Sequence, residues 1–151
     1  MIGELHLLHK VYNEIFLPKA VMDELLALEN SGLNLDSIKQ AHWIKSVEVT
    51  ERNTVNQLLS YLDLGEAEAI VLAKSMNADW LLIDETKGRK IAKDSGLQTI
   101  GLLGVFLFAK EEGIINEVKY YVELLITKAK FRIAQELFDR ILILAHETKT
   151  K

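Results

Sequence analysis

The chain has 151 residues, 49% of them apolar and 26% charged, with a formal net charge of −4, one proline and no cysteine. That balance describes one globular domain with a sizeable core. It excludes a disulfide scaffold and thiolate metal sites, contains no apolar run of the roughly 20 residues a membrane span requires, and confines any nucleic-acid contact to a local basic patch. The lack of cysteine and of a signal-type N-terminus fits a cytoplasmic protein.

In chain order, Leu5, Leu8 and Tyr12 recur at helical spacing, and Glu14 to Leu17 reads as a short strand. Pro18 suits a first helical position, where its missing N–H costs nothing. Val21, Leu25 and Leu28 form the apolar stripe of the helix it opens. Asn30 to Asn34 reads as a turn, and Trp43 to Val49 as a half-buried strand. Helices follow over Arg52 to Tyr61 and Glu66 to Met76. Leu81 to Ile83 is a strand, Thr86 to Asp94 a helix and Gln98 to Ile100 a strand. Beyond Gly101 only helical patterns remain: Leu102 to Lys110, Glu117 to Thr127 and Ile133 to His146. Strands alternating with helices imply a parallel sheet covered by helices. Gly101 to Ala109 is apolar on nearly every side, which suits a buried helix or a subunit contact.

Carboxylates at helix starts and strand ends face the crevice of a parallel α/β fold. Glu66 in Asp63-Leu64-Gly65-Glu66 reads either as the return arm of a capping box or as a metal ligand. Asp84 reads as the cap of the next helix or as a carboxylate at the strand's C-terminal end, with Glu85 ambiguous by one position. Glu24 belongs to a solvated face unless its helix leans over the same cleft. Lys87, Arg89, Lys90 and Lys93 follow Asp84, where phosphates of a nucleic acid would need partners. Lys128, Lys130 and Arg132 form a second basic group. His6 and His9 lack a third ligand for a metal. There is no Gly-rich phosphate loop and no Ser-His-Asp arrangement.

The order of these pieces resembles a known family. Ile15-Phe16-Leu17-Pro18 with Val21 and Glu24-Leu25 come first. Leu62 to Ile70, Leu82-Ile83-Asp84-Glu85 with Arg89, and Gly96-Leu97 with Gly101-Leu102-Leu103-Gly104 follow. Together they look like a PIN-like domain, in a prokaryotic branch of predicted nucleic-acid-binding proteins. The resemblance implies a three-layer α/β/α fold with a parallel central sheet and a helical C-terminal third, as one domain over residues 1–151. It implies acidic residues that bind Mg²⁺ or Mn²⁺ and hydrolyse RNA, a homodimer, and for many relatives a toxin role opposite an antitoxin protein. The positions carried over are Glu24, Glu66 and Asp84 as metal ligands, with Glu85 beside them as a further catalytic carboxylate. Relatives begin with a strand ending in an aspartate, ahead of the Gly3-Glu4-Leu5 equivalent. This chain starts after that point, which leaves two alternatives: a start codon chosen too late, or a naturally shortened form whose sheet and acidic set lack that strand and its aspartate. Two readings stand: a metal-dependent ribonuclease, or a catalytically impaired PIN-fold regulator that binds nucleic acid or protein.

Overall fold

A computed structural model of the chain describes residues 2–32, 34–128 and 132–148. Its elements, in order, are α1 (Ile2–Val11), β1 (Ile15–Pro18), α2 (Lys19–Glu29), α3 (Asp36–Gln40), β2 (Ile44–Val47), α4 (Arg52–Leu58) and α5 (Leu64–Met76). There follow β3 (Leu81–Leu82), α6 (Thr86–Asp94), β4 (Thr99–Ile100), α7 (Leu102–Glu111), α8 (Val118–Lys128) and α9 (Gln135–Leu144). They form two compact units. One gathers α1 with α7, α8 and α9; the other runs from Tyr12 to Gly101.

In the α/β unit all strand pairing is parallel, as the alternation of short apolar runs and helices implies. The strands divide into two pairs, β1 with β2 and β3 with β4. The expected single central sheet is therefore split among the described residues. Helix α5 explains why the unit still coheres. Ala67, Glu68, Ile70, Val71, Leu72 and Ala73 are buried on it, so it is covered on nearly every side. Ile70 and Ala73 join Leu81, Ile83 and Ala92 in one core cluster. Ala67, Val71 and Leu72 join Val49 and Val55 in another.

Local chemistry sets the boundaries. Asp63 caps α5, and Asn77 ends it in the left-handed conformation (φ 51°) that asparagine tolerates. Pro18 closes β1 and stands at the N-cap of α2 instead of at its first turn. A proline has no side chain with which to cap, and the duty passes to a distant residue. Glu68, 5% exposed, accepts a hydrogen bond from the Ala20 N–H at 3.0 Å. Its other oxygen meets the Arg52 guanidinium at 2.6 Å. Of the predicted α2 stripe, Val21 and Leu25 are half-buried, but Leu28 faces solvent.

The helical unit has its own core of Leu7, Phe106, Ala109, Val118, Val122 and Ile141 with their neighbours. The apolar α7 helix is thus largely used internally, with Phe108 left exposed. Glu147 draws this unit together. It accepts hydrogen bonds from the Val118 and Lys119 N–H groups at the start of α8, at 2.6 and 2.9 Å, and from the Lys110 ammonium at 2.9 Å. Lys110 also donates to the Ala145 carbonyl.

Candidate active site

The start of α5 is where the acidic residues gather, and glycines make the approach possible. Asp63 Oδ1 accepts from the Glu66 N–H at 2.8 Å, and Glu66 Oε1 accepts from the Asp63 N–H at 3.4 Å. The capping box read from the sequence is therefore present. It uses only one of the two Glu66 oxygens. Oε2 is buried and accepts no hydrogen bond among the described residues. Both readings of Glu66 are thus compatible: one oxygen faces the chain and the other is unspent.

Glu24 does lean toward this corner. A Cβ on Gly65 would lie 3.1 Å from Glu24 Oε1 and 3.6 Å from Asp63 Oδ1, so the missing side chain lets α2 bring its carboxylate over the start of α5. Gly88 plays the same part for α6. A Cβ there would stand 2.7 Å from Ile83 Cδ1 and 3.2 Å from Glu66 Oε2. Asp84 does not cap α6; Glu85 holds the N-cap position, without a side-chain cap. Instead Asp84 Oδ1 lies 2.9 Å from the point a Gly101 Cβ would occupy, and the Arg89 guanidinium crowds the same point. Arg89 Nε also donates to the Ile83 carbonyl at 3.4 Å. Arg89 is therefore turned back onto the strand end and away from the solvated cationic face. Lys87, Lys90 and Lys93 remain exposed, with the Lys87 ammonium 5.9 Å above the Tyr61 ring. Of the second basic group, Lys130 and the Lys128 side chain lie outside the described residues.

The electrostatics agree with crowding. Burial, and then the negative charges of Asp63 and Glu85, raise the Glu66 carboxyl above its ordinary pKa. A hard divalent cation takes six or more oxygens. The unspent Glu66 oxygen suits such an ion. Yet among the described residues no three carboxylates or imidazoles stand close enough together to hold one. As arranged, these residues do not form a complete ligand set, and no chemical step is assigned to a metal.

Sequence reasoning missed Glu68, which is structural, and the three glycines that admit the carboxylates. A signal for Glu68 existed: it is the lone charge between Glu66 and Lys74 in an otherwise apolar helix. A residue in that setting has to find partners inside the fold.

Parallel strands with helices packed against the buried α5 define an α/β protein. The PIN domain model matches residues 1–147, and the chain belongs to that family. No curated protein and no solved structure matches the chain. No helix among the described residues is long and apolar enough to cross a membrane.

Proposed function

We propose that this PIN domain is an endoribonuclease dependent on Mg²⁺ or Mn²⁺, with Glu24, Glu66, Asp84 and Glu85 as its acidic residues. The observation that carries the reading is the unspent, buried Glu66 oxygen, with the Glu24 and Asp63 carboxylates beside the neighbouring Gly65. Such an atom is costly to a fold that does not use it. Lys87, Lys90 and Lys93, exposed on the adjoining helix, are the residues proposed to meet RNA phosphates. Arg89 has a different part in this proposal: it positions the Asp84 side of the site. A cytoplasmic homodimer acting as a toxin against which an antitoxin is paired is the setting the family resemblance favours.

The test is RNA cleavage with and without added Mg²⁺ or Mn²⁺. Asp84→Asn is expected to lower the metal-dependent rate about 100-fold or more, the order of a lost carboxylate in acid–base chemistry, while RNA binding and thermal stability stay close to wild type. Lys90→Glu with Lys93→Glu is expected to weaken RNA binding and flatten its salt dependence. An unchanged cleavage rate in Asp84→Asn overturns the assignment.

A second reading has its own observation. Without three converging ligands among the described residues, the chain would be a PIN-fold regulator that binds RNA or a protein and does not cut. RNA binding that persists while neither metal elicits cleavage would favour it.

A further inference from the structure

One large aromatic side chain stands beside the acidic corner without joining a core cluster. Tyr61 is 60% exposed, while its neighbour Leu62 is 8% exposed and packs with Ile70 and Leu81. The turn between α4 and α5 enforces that division. The Tyr61 and Leu62 N–H groups both donate to the Leu58 carbonyl, each at 2.9 Å. With the backbone pinned and Leu62 inside, the phenol ring is held outward on a fixed stem. Asp63 follows directly, caps α5 and bonds the Glu66 N–H. The ring thus stands at the same end of α5 as Glu66.

Lys87 approaches the same ring from α6. Its ammonium lies 5.9 Å from the ring centroid, within the range of a cation–π contact. The position is a poor one for helix stability. Lys87 belongs to the first turn of α6, where the helix dipole disfavours a cation. It also precedes Gly88, where a Cβ would lie 3.2 Å from Glu66 Oε2. A ring and a cation from separate elements therefore meet at the border of the acidic corner. An exposed aromatic face takes an unpaired base by stacking, and a lysine beside it takes the attached phosphate. A base inside a duplex is already stacked on its neighbours and has no face left for the ring. Carboxylates at the corner repel a phosphodiester, so a ring without a cation at its side would not serve.

We propose that Tyr61 and Lys87 form a nucleotide-binding subsite: an unpaired RNA base stacks on the Tyr61 ring while Lys87 holds its phosphate. The inference rests on the ribonuclease reading for the identity of the ligand, and it adds a preference for an unpaired strand over a duplex. The two residues have different duties. The ring accepts a base of any identity, because every base has a stacking face. The lysine contributes charge, and with it salt dependence. A phosphate drawn to Lys87 lies on the side of α6 where Gly88 meets Glu66, so the subsite would hold the strand next to the proposed acidic residues.

The experiment uses the full chain in EDTA, so that no RNA is cut, and a uridine oligonucleotide of about ten residues carrying one fluorescent purine. Wild type is expected to quench the purine and to bind the single strand about tenfold or more tightly than the same strand paired with its complement. Tyr61→Ala is expected to weaken single-strand binding about tenfold and to abolish the quenching, with duplex binding and melting temperature unchanged. Tyr61→Phe keeps the ring and is expected to bind as wild type does. Tyr61→Leu keeps apolar bulk without the ring and is expected to behave as Tyr61→Ala. Lys87→Gln is expected to lower the slope of log affinity against log salt by about one. Single-strand binding and quenching that survive in Tyr61→Ala would overturn the subsite and leave the ribonuclease reading in place, and so would equal affinity for single strand and duplex. No RNA binding by wild type would overturn both. Tyr61-dependent binding with no cleavage once Mg²⁺ or Mn²⁺ is added would support the subsite and overturn the ribonuclease reading.

Discussion

Glu147 in the helical unit and Glu66 in the α/β unit are both glutamates serving the start of a helix, and they end in opposite electrostatic states. Burial alone would push the Glu147 carboxyl up. The Lys119 and Val118 N–H groups and the Lys110 ammonium outweigh that and hold it below its ordinary value. Glu66 is raised by burial, and Asp63 and Glu85 add to the rise. Glu147 is partnered through both oxygens, whereas Glu66 leaves Oε2 unpaired. The lesson concerns how to separate structure from function among buried carboxylates. A saturated one holds the fold together. One left partly unsatisfied among like charges is where a ligand would lower the energy of the protein.

The sharpest way to break this comparison is to remove each group. Glu147→Ala strands two helix-start N–H groups and an ammonium, and should lower unfolding free energy by about 2–4 kcal/mol. Glu66→Gln keeps the size of the side chain and removes like-charge repulsion, and should change stability by less than about 1 kcal/mol. Denaturant titration of both variants checks the contrast; equal losses would erase it.

Acidification sharpens it further. Because the Glu147 pKa is lowered in the folded state, its contribution is fully present above the unfolded value of about 4.3. That contribution is lost as pH falls through the folded value. Glu147→Gln should therefore show a flatter fall in stability on the acid side of that point. The same slope in wild type and variant would remove Glu147 from the account.

Gly88→Ala tests the approach of α6 to Glu66. The new methyl meets the tip of Ile83 and the unspent oxygen. Overpacking costs about 1–3 kcal/mol, offset by about 1 kcal/mol of helix propensity. The net loss should be about 1 kcal/mol, with RNA cleavage falling by more than stability does. Asp63→Ala is expected to cost a similar amount, about 1 kcal/mol from the lost cap, read as a drop in melting temperature and faster exchange of the Glu66 amide.

Much of the fold was legible because its signals are local. The Asp63–Glu66 capping box depends on residues three apart, and the structure contains both of its bonds. The helices after Gly101 follow from apolar spacing. Pro18 stands at the N-cap and not in the first turn that the sequence suggests, since its fixed φ serves both positions. The short α3 helix carried no periodic signal and was not foreseen. Within the site, Asp84 offered two readings, and the preference for the strand-end position over the helix cap came from Gly101 and Arg89, which the sequence places 17 and five residues away.

By itself the sequence determined most of the helices and strands, that strands alternate with helices, and which carboxylates sit at element ends. Those properties follow from spacing, caps and apolar period, all short-range. Tertiary structure alone decided that the strands form two pairs with a cleft between them. It also decided that Glu68 caps a helix 48 residues away, that Arg89 turns inward, and that Glu66 keeps one oxygen unspent. The physical reason is common to all four. Each depends on which backbone edges and polar atoms find partners once distant segments meet, and no local pattern records that meeting.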